Sequence, residues 1–412
     1  MHPQESQLSS TLSVSQTALA RRRFLQLSAT AAVGVLAAPL RSVLAQRTLP
    51  TTPSFAGTDL IVHGQDPPNA EPALEHLLES WITPNKYFYV RSHAPSPKID
   101  RKTFRLQVSG LVERELSLSA DELADAEKFP QHEVTATMTC AGNRRAEYNA
   151  INKVGGVQWG AGAIGNAKWG GAALADLLKA AGVKEGAKHV WFEGVDEISH
   201  NGGIIGFGGS IPLETALGQP QAPALVAQTM NGEPLTADHG FPLRTVVPGF
   251  IGARSVKWLG KIVVSDRPSP NHYLATAYKL VQEGTDAEWE SAEPLYRFPL
   301  NSVICSPAAG ATVKPGEIEV AGYALPSGGP NTIERVEVAT NDGRIFRPAT
   351  LLDLSLPYCW RFWKATVPVT PRTKEIVVRA IDSAGNRQPR KMTWNLKGYM
   401  NNSLYHSPLQ VE

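Results

Sequence analysis

The character of this chain changes near residue 293, and no single-layer fold accommodates both sides of the change. Up to about residue 290 helix and strand signals alternate. Ser119 and Glu122 form a capping box just before Leu123. Leu174, Leu177, Leu178 and Ala181 recur at helical spacing, and Gly182 supplies the stop. Strand-like runs occupy 188–192 and 244–247. Beyond Pro294 and Pro299 no helix-period segment occurs. Ile318 alternates with Val320 and Val336 with Val338. Asn341-Asp342-Gly343 makes a turn before Ile345, and the strand 376–381 closes at Asp382-Ser383-Ala384-Gly385. The expected fold class is therefore α+β, followed by a small β-sandwich of immunoglobulin type. A chain of 412 residues exceeds one ordinary core, which agrees with two domains. Their expected limits are 46–292, beginning with an extended arm over 46–58, and 293–412.

Charge excludes one class of partner. The formal net charge is +2. Residues 1–45 carry Arg21, Arg22, Arg23 and Arg41 against Glu5, a net +3 that leaves −1 for the remainder. No basic run lies outside this leader, so no nucleic-acid surface is expected. The leader places Arg21-Arg22-Arg23-Phe24-Leu25 before a mildly apolar, alanine-rich run over 27–40. Val43-Leu44-Ala45 then offers small residues for cleavage before Gln46. This is similar to a twin-arginine export signal, although Ala20 and Gln26 depart from its usual pattern. An N-terminal membrane anchor is the competing reading; the run falls short of the roughly 20 residues a span requires. The twin-arginine route carries folded proteins to the periplasm. No other segment is long and apolar enough to span a membrane.

Chemistry concentrates at Cys140. Val134, Ala136, Met138 and Cys140 share one face of an alternating strand, and Ala141-Gly142-Asn143-Arg144-Arg145 follows as a turn carrying two guanidinium groups. Positive charge beside a thiol favours the thiolate, the form that binds metals. The alternative is a buried structural cysteine. Cys305 and Cys359 both lie in the C-terminal third, where an oxidising compartment would permit a bridge. Glycine is dense over 155–171 and 202–209, where it would let backbone approach a ligand or merely form connecting loops. No Cys-x-x-Cys-His and no Gly-x-Gly-x-x-Gly after a strand occurs, so covalent haem and a nicotinamide site are not expected.

Met138-Thr139-Cys140-Ala141-Gly142-Asn143-Arg144-Arg145 closely resembles the molybdenum-ligand segment of the sulfite oxidase family. Further segments agree in order: Tyr89-Val90-Arg91-Ser92-His93; Trp159, nineteen residues after Cys140; Asp196; His239 and Arg244 within Asp238-His239-Gly240-Phe241-Pro242-Leu243-Arg244. Val247 to Arg254, Ser255-Val256-Lys257, Ala277-Tyr278-Lys279 and Trp360-Arg361-Phe362-Trp363 complete the set. The resemblance implies that Cys140 binds molybdenum. It implies that Tyr89, Val90, Arg91, Ser92, His93, Asp196, His239, Arg244, Ser255, Val256 and Lys257 contact molybdopterin. Tyr278, Arg91, Arg145, Trp159 and Arg361 are implied at the reacting centre, Arg361 lent by the C-terminal domain. Arginine, lysine and histidine are also what a phosphate and small oxyanions require. The implied reaction is oxidation of sulfite to sulfate, in a homodimer without haem in this chain. Electrons would pass to a separate acceptor, a c-type cytochrome. The alternative within the superfamily is a reductase acting on nitrate or sulfoxides.

Overall fold

A computed structural model describes Phe55 and residues 58–218, 222–341, 343–352 and 354–412. The leader with Arg21 and Arg22, most of the arm over 46–58, and Asp342 of the turn lie outside the described residues.

The chain enters through β1 (Leu60–Gln65), β2 (Pro68–Pro72) and β3 (Val90–Arg91), a small antiparallel sheet. It continues with β4 (Arg105–Gly110), β5 (Leu116–Ser119), β6 (Gln131–Thr139), β7 (Ile164–Ala173), β8 (His189–Gly194), β9 (Ile198–His200), β10 (Gly203–Ile205), β11 (Gly208–Pro212), β12 (Leu225–Met230), β13 (Glu233–Pro234), β14 (Arg244–Val246) and β15 (Leu259–Ser265). Two sheets organise these strands, ordered β11-β8-β15-β4-β5 and β13-β12-β7-β6, with β14 paired to β12. The capping box is present: Ser119 Oγ accepts from Glu122 N at 3.1 Å, and Glu122 Oε2 accepts from Ser119 N at 3.0 Å. It starts a single turn, Ala120–Leu123, whose Ala120 and Leu123 are buried. The longer helix Leu174–Ala181 buries Leu174, Leu177, Leu178 and Ala181, the stripe its spacing predicts.

The glycine-rich stretch over 155–171 divides. Gly165, Gly170 and Gly171 belong to β7, where a side chain on Gly171 would run into Val226 O of β12. Close strand packing, not ligand access, explains those positions. Gly206, Gly208 and Gly209 likewise press against Gly194, Asn271 and Arg254.

Past residue 293 every regular element among the described residues is a strand: β16 (Asn301–Ser306), β17 (Ala311–Val313), β18 (Gly316–Leu325), β19 (Ile333–Thr340), β20 (Arg347–Pro348), β21 (Thr350–Leu351), β22 (Arg361–Val369), β23 (Glu375–Asp382) and β24 (Tyr405–Val411). They form two sheets, β16-β18-β22-β21 and β17-β24-β23-β19-β20. Alternation along β18 and β19 buries Val320, Val336 and Val338 between them.

The halves share a core. Ala141, Ile164, Ile251 and Tyr278 pack in one apolar cluster with Val303, Tyr323, Trp360 and Trp363. Trp81 and Trp360 exchange hydrogen bonds, each indole N–H donating to the other's carbonyl at 3.2 and 3.0 Å. Arg144, wholly buried, donates to both Glu147 carboxylate oxygens and across the seam to Asn301 Oδ1, Ser403 O and Leu404 O. The Cys305–Cys359 bridge does not form: both thiols are free and buried, and Cys359 Sγ donates to Thr135 O. Burial pushes the Cys359 thiol up to about 12. Among the described residues no helix is long and apolar enough to cross a membrane.

Candidate active site

Cys140 follows β6 directly. Its N–H donates to Ala163 O at 2.9 Å, extending the β6–β7 ladder by one step. Val134, Ala136, Met138 and Cys140 face a single apolar cluster, as their alternation predicts. The Gly142 N–H donates to Cys140 Sγ at 3.4 Å. Arg144 takes the left-handed region at φ 66, and this reversal separates the two arginines. Arg144 enters the seam between the halves, while the Arg145 guanidinium lies over Gly142, whose N–H contacts the thiol. Nη2 of Arg145 lies so close over Gly142 that a Cβ there would sit 2.5 Å away.

The segments after β3, β6 and β8 meet β14 and the turn before β15 around one cleft, with about 670 Å³ of empty space that opens to solvent. Tyr89, Arg91, Ser92, His93, Cys140, Asp196, His239, Arg244, Ser255, Lys257 and Tyr278 all line it. Residues drawn from six separate stretches of sequence thus converge on one site. Val90, Val256 and Arg145 do not. Val90 packs with Phe55 and Ala70, and Val256 belongs to the catalytic-half core. The Val256 N–H and carbonyl are both spent on Thr245, which leaves no backbone group for a ligand.

Arg361 is a correction. Its Nε donates to Leu352 O at 3.0 Å and its Nη1 to Ile333 O at 3.3 Å, both inside the sandwich. The flanking Trp360 and Trp363 do anchor the segment at the seam, but β22 turns the guanidinium between them away from the cleft. The C-terminal half reaches the site through another segment. Arg145 Nε donates to Lys397 O at 2.9 Å, its guanidinium lies 5.0 Å from the Tyr399 ring, and Tyr399 stacks on Tyr278 at 5.0 Å and 8°. Sequence reasoning missed Tyr399; it lies in no regular element and carries no spacing signal.

Trp159 is fully buried beneath the cleft, in the cluster that contains Cys140. Its indole N–H has no partner among the described residues, and its ring meets His63 edge-on at 4.9 Å. The loop bearing it is held by Glu71, also missed, whose carboxylate accepts from Gly160 N, Gly162 N and His63 Nε2 at 2.7, 2.8 and 2.7 Å.

Electrostatically the cleft is short of anions. Arg91, Arg244 and Lys257 face only Asp196 and Asp238 as lining carboxylates. Burial first, then Arg244, pushes Lys257 down to about 7. Burial lowers Arg244 to about 10, and burial with Arg244 and Lys257 takes His239 to about 3. Lys257 Nζ donates to Ser92 Oγ and Asp238 O at 2.7 and 2.8 Å. Burial raises Asp196; its Oδ1 accepts from Phe207 N, while its buried Oδ2 has no partner among the described residues. Tyr278 Oη lies 3.5 Å from His93 Nε2. Burial, then Tyr399, holds the Tyr278 phenol well up; burial, then Arg91, holds the His93 ring well down. Both groups are neutral near pH 7.

The family model described as "Oxidoreductase molybdopterin binding domain" matches residues 93–273, and "Mo-co oxidoreductase dimerisation domain" matches 292–412. Sulfite oxidase of Gallus gallus is 43% identical over 359 residues, 84% of this chain and 77% of that protein. The chain belongs to the sulfite oxidase family. Mitochondrial sulfite oxidase of Rattus norvegicus is 42% identical over 366 residues, 85% of this chain and 66% of the rat protein. The crystal structure of sulfane dehydrogenase SoxCD from Paracoccus pantotrophus superposes with a TM-score of 0.72 at 24% identity, over 92% of this chain and 98% of that one. It shares the fold.

The cleft suits the family's cofactor on its own chemistry. Arg244 and Lys257, both depressed by burial, favour a phosphate between them. The orphaned Asp196 Oδ2 offers an acceptor for a ring N–H, and Cys140 offers a soft sulfur donor at the other end.

Proposed function

We propose that this protein oxidises sulfite to sulfate at a molybdenum–molybdopterin centre ligated by Cys140. The observation that carries this reading is the thiol at the floor of a cleft whose lining cations outnumber its carboxylates. When bound, the centre supplies oxygen-atom transfer to sulfur and accepts two electrons; the protein supplies binding, orientation and proton handling.

Arg244, Lys257 and His239 hold the phosphate end, with Asp196 and Ser255 on the pterin. Arg91 and Arg145 draw the substrate oxyanion toward the Cys140 end, where the desolvated walls strengthen each charge-assisted contact. Tyr278 keeps its proton on Oη and donates a hydrogen bond to an incoming oxyanion. Conversion of sulfite and water to sulfate releases two protons and two electrons. Neutral His93 Nε2, beside Tyr278 Oη, is placed to accept a hydrogen bond from it and so to orient the phenol. Phe207, stacked on His93 at 4.8 Å, and Tyr273, tilted against it at 4.5 Å, limit water on that side.

The dimerisation-domain match supports a homodimer. The electrons leave to a separate one-electron acceptor, a periplasmic c-type cytochrome. The leader with Arg21 and Arg22 supports export by the twin-arginine route, and replacing both by Lys should leave the precursor in the cytoplasm. The deciding experiment is metal analysis of the purified protein combined with sulfite-dependent reduction of cytochrome c or ferricyanide. About one molybdenum per chain and activity with either acceptor is the expected result. Molybdenum-loaded protein that reduces nitrate or a sulfoxide but leaves sulfite untouched would replace this reading with the reductase one.

A further inference from the structure

We propose that Tyr399, contributed by the C-terminal domain, is a positioning residue for the oxyanion pocket: its ring fixes the Arg145 guanidinium and the Tyr278 phenol in one arrangement. The inference rests on the function proposed above. The segment from Asn395 to Tyr399 closes on Arg145 from several directions. Lys397 O accepts from Nε, and the Tyr399 ring lies 5.0 Å from the guanidinium carbon. Gly398, at φ 57, packs so near the stem that a Cβ there would sit 2.7 Å from Arg145 Cγ. Val157 O takes Nη1 at 2.8 Å from the opposite side. Among the described residues Nη2 alone has no protein partner, and it is the nitrogen that lies over Gly142 beside Cys140. The clamp thus ties Nε and Nη1 and leaves Nη2, over Gly142, without a protein partner.

The ring is itself held from behind. Tyr399 N donates to Asn395 Oδ1 at 3.0 Å, and Tyr399 O accepts from Tyr148 Oη at 2.7 Å and Asn395 Nδ2 at 2.9 Å. The other face of the contact is Tyr278, nearly parallel at 5.0 Å. Arg254, fully buried, supports Tyr278 in turn, with its guanidinium carbon 5.6 Å from that ring. An arginine on a flexible stem loses binding strength when it samples several rotamers. A planar ring under the guanidinium removes that freedom while leaving its edge donors for an anion. Tyr399 Oη makes no hydrogen bond to another described residue, so the ring, not the hydroxyl, carries the role.

The test uses holoenzyme with matched molybdenum content and two readouts: KM for sulfite, and calorimetric affinity for sulfate. Tyr399→Leu and Tyr399→Met, the second a flexible filler of similar volume, should each raise KM and weaken sulfate about tenfold, with a smaller change in kcat. Tyr399→Phe should stay within about twofold of wild type on both. In an Arg145→Gln background, Tyr399→Leu should change sulfate affinity less than about twofold, because its effect acts through the arginine. Unchanged sulfate affinity in both the Leu and Met variants would overturn the inference, and so would a Phe variant as weak as Leu. If wild-type protein binds sulfate but does not oxidise sulfite, the proposed function fails, while the sulfate affinities still decide the role of Tyr399.

Discussion

Arg144→Gln separates the two arginines that follow Cys140. Arg144 is wholly buried and makes five hydrogen bonds: two to Glu147 and one each to Asn301 Oδ1, Ser403 O and Leu404 O. Breaking a buried charge pair by removing one partner costs about 3–5 kcal/mol. The structure places this case at the low end. The Glu147 side chain is 35% exposed and keeps Asn401 Nδ2 at 3.2 Å, so water and that amide compensate it. Ser403 O and Asn301 Oδ1 also receive Gln388 Nε2, at 3.0 and 3.4 Å. A loss of about 3 kcal/mol follows. A unit of about 350 residues has an unfolding entropy near 0.7 kcal/mol/K, so Tm should fall by about 4 °C at a fixed scan rate. Because Arg144 points into the seam, KM for sulfite should move far less than it does in Arg145→Gln. Scanning calorimetry and steady-state kinetics on the two variants measure both quantities. A Tm within about 1 °C of wild type would refute the account of the seam; a KM effect equal to that of Arg145→Gln would refute the division of labour.

Other outcomes follow from the same geometry. Cys140→Ser should lose molybdenum and activity together, because a hydroxyl is a harder and poorer donor than a thiolate; normal turnover with normal metal content would contradict the ligand assignment. Arg361→Ala should leave kcat/KM within about twofold of wild type and cost about 1–3 kcal/mol of stability through the two freed carbonyls; a large kinetic defect would restore that arginine to the cleft. Lys257 sets a pH dependence. Its folded value of about 7 lies below the usual 10.5, so between these limits the unfolded chain binds more protons and cofactor-free protein should gain stability as pH rises. That gain is lost as pH falls through about 7, and phosphate bound beside Lys257 should flatten the slope; equal slopes with and without cofactor would remove Lys257 from the phosphate site.

The sequence by itself determined a great deal here, because much of the chemistry is local. Alternation from Val134 to Cys140 set which face of β6 carries the thiol, and the following turn set both arginines near it. The apolar stripe from Leu174 to Ala181 and the loss of helical spacing after Pro294 gave the helix and the sandwich through backbone periodicity alone. Ordered motifs supplied the family, and with it eleven residues that line one cleft. The tertiary structure decided what depends on direction and on distant partners. Arg144 and Arg145 are adjacent, yet a left-handed residue sends one into the seam and leaves the other at the site. Arg361 sits between anchored tryptophans as expected, but in a strand neighbouring residues point to opposite faces, and its face is the sandwich. Val90 in β3 flanks cofactor residues and points into a core for the same reason, and Val256, in the turn before β15, is drawn into the core by its own packing. Tyr399 and Glu71 have no periodicity or spacing to announce them. They reach Arg145 and the Trp159 loop across 254 and 88 residues of chain, and only packing of the whole molecule brings such groups together.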